Sequence, residues 1–311
     1  CHAHSVSPLN PLDRWLEMIP EPSFVFGEPD RTDPDAGLFG PDSVSWLVHA
    51  DPASAIGGIR ALLLQALHPR AMAGVARWSD YREDPWGRLT RTAEYIGVIT
   101  FGSSNEVQRA AAQVRHVHAR LGVDEPDLLL WVHAGFVDSL LHTYRLAHPD
   151  FAGTDDYVRE QVRAAELVGL TACDVFDSAQ GLSDYFTSVR PELQATAEAL
   201  LAARMLLVPP MAPQVRWLTP AQGLWAVLAA TAFASLPVWA QQLYVDSVAL
   251  PGAPAGLKSL IDTSIAQSQW LRDAGSAVAV RGIRSLLLTL PEDARIGPHV
   301  AAARTRLALA D

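Results

Sequence analysis

Helix-start signals recur along this chain at short intervals and no segment reads as an alternating strand, so the fold must be built by packing helices on helices. Asp51-Pro52 places a cap and a first-turn proline ahead of Ile59, Leu62, Leu63 and Ala66, which are spaced as one helical face. His68-Pro69 begins a second short helix through Val75. Asp84-Pro85 opens a third that carries Arg88, Thr92, Tyr95 and Ile99 and stops at Gly102, a residue suited to the left-handed turn after a helix end. Ser103 with Glu106 three residues later forms a capping-box pair that launches the next helix, closed by Gly122. Further helices are expected over 126–147, 154–168 and 182–207, the last broken by Pro191. More follow after Pro220, over 242–249, over 257–288 and beyond Pro291. Before Asp51 the prolines, glycines and aspartates of Glu21-Pro22, Glu28-Pro29-Asp30 and Asp33-Pro34-Asp35 make residues 1–50 an irregular arm. Residues 51–311 then form a single large helical domain, and the fold class is mainly α.

Composition narrows the function. Hydrophobic residues make up 49% of the 311 and charged residues only 19%, a balance that suits helices buried on several sides and not a disordered chain. The formal charge of −10, with no basic run, repels a phosphate backbone at long range, which sets nucleic acid aside and disfavours an anionic membrane surface. Two cysteines, Cys1 and Cys173, are too few for a disulfide framework and too far apart for a zinc site, so a cytoplasmic location is expected. The absence of an initial methionine leaves a removed leader or a lipid-bearing cysteine open as an alternative. From Trp217 to Val245 no residue is charged, long enough to span a bilayer. Pro220 and Pro237 bracket its apolar part and Gln222, Gln241 and Gln242 flank it, which favours a buried central helix over a membrane span.

The residues that could carry chemistry are histidines and one arginine. On the helix from Ser104 to Leu121 the apolar positions Val107, Ala111, Val114 and Leu121 define a stripe, and His118 lies in it. His116, two residues earlier, falls about 200° away and faces solvent or a polar neighbour. An imidazole on an apolar face is either a core side chain satisfied by a neighbour or a ligand presented from a dry wall, as a proximal haem ligand must be. Arg88 and Thr92, four residues apart, share a face with Tyr95 and Ile99; they read either as a surface arginine above a threonine or as a partly buried cation that needs an anionic partner. His68 before Pro69 has a sufficient role in starting a helix. His133, on a helix apolar nearly all round, is a second candidate ligand, while Asp138, His142 and Arg145 beside Trp131 read as a structural ion network. No Gly-rich phosphate loop, nucleophile elbow, His-Glu-x-x-His or Glu-x-x-His pair occurs, which removes the common nucleotide, hydrolase, zinc and di-iron readings.

Five segments in order carry a resemblance: Leu64-Gln65-Ala66-Leu67-His68-Pro69, Asp84-Pro85-Trp86-Gly87-Arg88-Leu89-Thr90-Arg91-Thr92, Phe101-Gly102-Ser103, Val114-Arg115-His116-Val117-His118, and Trp131-Val132-His133-Ala134. From about Asp51 to Pro210 the chain resembles the MpaB-type oxygenases and bacterial latex-clearing proteins. The resemblance implies haem b with its iron held by His118, the histidine of the Val-Arg-x-x-His element, within a buried pocket of a helical domain of which a globin-like core is one form. It places the pocket's Arg-x-x-x-Thr pair, with a catalytic role, on Arg88 and Thr92. The distal lysine of some relatives falls on Arg91, which cannot ligate while protonated, leaving the distal position open, water-bound or filled by His68. The pocket glutamate of the latex-clearing proteins has no counterpart, Glu83 offering no convincing alignment. The function implied is a haem-dependent oxidoreductase using oxygen or peroxide on an apolar small molecule, with cleavage of a carbon–carbon double bond the best-known outcome; the absence of a visible secretion signal argues against polyisoprene. A non-catalytic haem carrier or gas sensor, and a helical protein whose histidines are all structural, stand as alternatives.

Overall fold

A computed structural model describes residues 24–78, 82–211, 221–247 and 269–308, and all of its regular structure is helical. The helices are α1 Val44–Ala50, α2 Ser54–Gln65, α3 Pro69–Trp78, α4 Pro85–Phe101, α5 Ser104–Leu121, α6 Pro126–Ala147 and α7 Thr154–Leu167. There follow α8 Ala179–Val189, α9 Ala197–Leu207, α10 Ala221–Ala234, α11 Val238–Ser247, α12 Gln269–Leu288, α13 Glu292–Arg295 and α14 Pro298–Arg306. The mainly α, single-domain expectation holds. Residues 248–249 and 257–268 of two expected helices, and 217–220 of the charge-free run, lie outside the described residues.

The centre is the crossing of α2 and α6. Ile56, Leu63, Leu64, Trp131, Ala134 and Val137 are fully enclosed there, and the face of α10 that carries Leu228, Ala232 and Phe233 closes the same core. Burying one such aliphatic or aromatic side chain stabilises the fold by roughly 1.5–3 kcal/mol. The helices approach closely because each contributes a glycine at the contact. A Cβ on Gly57 would lie 2.7 Å from Thr143 Oγ1 and 2.8 Å from Leu140 Cδ2, and one on Gly135 would meet the Gln65 side chain at 2.9 Å. The α4–α5 pair stands to one side, packed by α14 and linked to α7 through Arg115, whose Nη1 donates to the Leu167 carbonyl at 2.7 Å.

Two local expectations need correction. The arm is not irregular throughout, since residues 44–50 form α1, which buries Ser45, Trp46, Val48 and His49 and is capped by the Ser43 hydroxyl. Gly102 is not left-handed: its φ is −72°. Glycine is required there because the chain passes close by. A Cβ would come within 2.5 Å of the Val98 carbonyl oxygen, and Gly37 of the arm, at φ +75°, sits directly against the Gly102 carbonyl. Gly122 does adopt the left-handed conformation, with φ 63° and ψ 41°. The charge-free run divides at Pro237, the proline expected to bracket its apolar part, and α10 and α11 meet there at 108°. Gln241 secures that corner by donating from Nε2 to the carbonyls of Ala234 and Leu236 at 3.1 and 2.8 Å, which would otherwise be orphaned at the end of α10. No single described helix is long and apolar enough to cross a membrane.

Candidate functional site

The α4–α5 joint sets the geometry of the site. The two helices are separated only by Gly102 and Ser103 and fold back on one another, so that Arg88 and Tyr95 of α4 come within electrostatic reach of His118 and Arg115 of α5, and Ser103 N–H donates to Glu106 Oε2 at 2.8 Å as the capping box requires. Arg88 lies 14 residues before the joint and His118 15 residues after it, as read from the sequence. At about 1.5 Å per residue both stand roughly 21 Å from the joint, at the same height on neighbouring helices. The electrostatics agree. The His118 ring is held below the usual histidine range first by burial and second by the Arg88 guanidinium, with Asp124 opposing weakly. A neutral imidazole therefore faces a permanent cation. His118 is half-buried, its Nδ1 is shielded and no described residue hydrogen-bonds to it, whereas His116 is exposed as expected.

Of the two readings left open for Arg88, its exposure matches the surface arginine above a threonine and not the partly buried cation. Thr92 is half-buried and donates its hydroxyl proton to the Arg88 carbonyl at 3.0 Å. That bond consumes the donor and leaves the oxygen lone pairs available. Arg91 reaches Asp84 at 3.5 Å, and Asp84 Oδ1 accepts from Gly87 N–H at 2.9 Å, so the first turn of α4 is tied down by its own cap.

His68 and His133 have surroundings of their own. His68, at 3% exposure, accepts from Ala71 N–H through Nδ1 at 3.4 Å, the helix-starting duty its position suggests, and its Nε2 lies 3.9 Å from Glu192 Oε2. The first bond leaves the proton on Nε2. His133 is buried and stacked on Phe176 at 5.6 Å with its Nε2 unpartnered among the described residues, and burial lowers its pKa to about 4. Other buried polar groups escaped the sequence reading. His49 bridges Thr100 and Tyr157 at 2.7 and 2.9 Å, Asp51 joins His148 and Arg284, and Arg60 reaches Asp138, the network partner that sequence reasoning missed. The available signal was Arg60 itself, a charge inside a helix that is apolar nearly all round.

Burial lowers the pKa of His49 to about 3 and of His133 and His142 to about 4, so all three are neutral in the fold and each takes up a proton when the chain unfolds below about pH 6.5. A depressed folded-state pKa means stability that is present above the unfolded value and is lost as the pH falls toward the folded one. Unfolding free energy from urea titrations should accordingly drop between pH 7 and pH 5, by about 2 kcal/mol for each ring that stays neutral. A value constant across that window would contradict the burial of these rings.

Among the described residues there is no group of three or more histidine, cysteine, aspartate or glutamate side chains able to hold a bare metal ion. A lone neutral imidazole suits an iron that would arrive already ligated by a prosthetic group. The unpartnered, shielded Nδ1 of His118 and the nearby guanidinium fit such a group, with one departure: the acceptor that commonly fixes a proximal imidazole is not among the described residues.

A family model matches residues 46–249, that of the catalytic domain of the ER-bound oxygenases mpaB/B' and rubber oxygenase, and the chain belongs to this family. Its class is therefore oxygenase-type oxidoreductase. Comparison with curated proteins and with solved structures finds no match.

Proposed function

We propose that the protein is a haem b-dependent oxygenase acting on an apolar small molecule, with oxygen or peroxide as oxidant. The observation that carries the reading is the pairing of His118 and Arg88 at one height of the α4–α5 hairpin, with the ring kept neutral by burial and by that cation. Bound haem would supply the activation of the oxidant and the electron transfer. His118 would hold the iron from the α5 side. Arg88 would pair with a carboxylate of the haem and keep His118 deprotonated, and the lone pairs of Thr92 would accept a hydrogen bond within the site. Trp86 and the capped first turn of α4 fix where Arg88 stands. Family membership supports an oxygenase reaction and a small-molecule substrate. The test is to purify the protein with adequate haem supply, record its visible spectrum, and follow an apolar olefin under oxygen. A Soret band with oxygenated or cleaved product is expected; its absence after haem reconstitution overturns the proposal.

A further inference from the structure

Two tryptophans beside the site are held in an unusual way. Trp86, in the first turn of α4, packs edge-on against Trp225 of α10 with ring centroids 4.8 Å apart at 73°. Both indole N–H groups are committed to backbone carbonyls, Trp86 Nε1 to Pro210 at 2.7 Å and Trp225 Nε1 to Leu206 at 2.8 Å. Leu206 lies in the last turn of α9, where carbonyls lack intrahelical partners and carry the negative end of the helix dipole. Trp86 is 36% exposed, so one edge of the pair meets solvent. It also precedes Arg88 by two residues, about 3 Å along the axis, on a helix whose neighbour runs some 8–10 Å away. The pair is thus on the order of 10–15 Å from His118.

Indole is among the side chains most readily stripped of one electron, and four features here favour the cation that results. Two carbonyl dipoles point at the rings. In the edge-to-face arrangement one ring presents its electron-rich face to its partner. An amide carbonyl is too weak a base to take the N–H proton, so the cation is not discharged by deprotonation. Solvent reaches one ring, which allows electrons to return.

We propose that Trp86 and Trp225 form an electron-relay site that passes single electrons from a diffusible surface reductant to the oxidised haem centre, giving the protein a peroxide-reducing activity when substrate is absent. The inference rests on the haem reading above. Its overall balance is hydrogen peroxide plus an ene-diol such as ascorbic acid giving two waters and the dehydro product. Two electrons and two protons leave the ene-diol; the O–O bond breaks and each oxygen becomes water. The electrons cross the indole pair one at a time, each passage leaving a cation that the next electron refills, while the protons travel through solvent.

The test uses the haem-loaded, full-length chain mixed with one equivalent of hydrogen peroxide, frozen, and examined by electron paramagnetic resonance, with the visible spectrum taken on the same sample. The expected result is an organic radical whose linewidth narrows when the tryptophans carry ring deuterium. It should vanish in Trp86→Phe and in Trp225→Phe, persist in Trp239→Phe, and be erased by ascorbate. A Soret band that responds to peroxide with no deuterium-sensitive radical overturns the relay alone. So does a radical that survives in both variants or is lost in Trp239→Phe. No Soret band overturns the haem reading and the relay with it. Two independent variants and the deuterium effect in the unmutated chain keep the test decisive if one variant fails to fold.

Discussion

Replacing His118 by alanine should strip the protein of tightly held haem while leaving its helical content intact. The ring is half-buried, neutral and supplied by the last turn of α5, where its loss opens space at the helix edge without unlocking the α2–α6 core. Losing a residue that only orients a metal ligand weakens binding by about 10–100-fold, and losing the ligand itself should exceed that. The measurement is the haem-to-protein ratio after gel filtration, read from the Soret band, beside far-ultraviolet circular dichroism. Added imidazole should restore part of the band in His118→Gly by filling the vacated position. His133→Ala and His68→Ala serve as comparators and should keep the band, because His133 is stacked on Phe176 and His68 accepts from Ala71 N–H. A band unchanged in His118→Ala but lost in either comparator would move the iron to that histidine.

The largest effect on stability is expected at Arg60. Its side chain is 2% exposed and links three parts of the fold. Nη1 donates to Asp138 Oδ2 and Ser139 Oγ on α6, each at 2.7 Å, and Nε donates to the Ser235 carbonyl beyond α10 at 3.1 Å. Arg60→Ala removes all three bonds, leaves the Asp138 carboxylate without its partner and opens a void against α6. Breaking one side of a buried pair costs about 3–5 kcal/mol, whereas an apolar side chain of similar length keeps the volume filled. Arg60→Ala should therefore lower the unfolding free energy by about 3–5 kcal/mol, and Arg60→Met combined with Asp138→Asn by clearly less. Urea denaturation of the three proteins decides it, and an Arg60→Ala chain as stable as the parent would show that the pair contributes nothing.

The helices were legible where the chain marks its own ends. Pro69, Pro85 and Pro126 each begin a helix, and Gly122 ends one in the expected left-handed conformation. The height match of Arg88 and His118 was readable too, because a two-residue joint turns helix rise into simple arithmetic. Features that depend on distant chain were not readable. Gly37 is glycine on account of Gly102, 65 positions later, because a Cβ there would strike the Gly102 carbonyl, and nothing near Gly37 in the sequence announces that approach. Arg60 finds Asp138 across 78 residues, and His133 finds Phe176 through a loop whose course no periodicity reveals. Pro237 marked the break in the charge-free run, but not the Gln241 bonds that close the corner, which are particular to two carbonyls.

The arm ties the hairpin at both of its helices. Glu94 of α4 accepts from the N–H groups of Val25 and Phe26 at 3.0 and 2.8 Å, and Glu106 of α5 accepts from that of Asp30 at 2.9 Å. From the opposite end of the sequence, Arg306 grips the Asp35 carbonyl at 3.0 Å and the Phe101 carbonyl at 2.6 Å. Arg88 and His118 thus belong to a hasp fastened by two segments that are nearly 300 positions apart in the polypeptide. During synthesis that hasp cannot close until α14 has left the ribosome, so a segment made late completes the setting of residues made long before it.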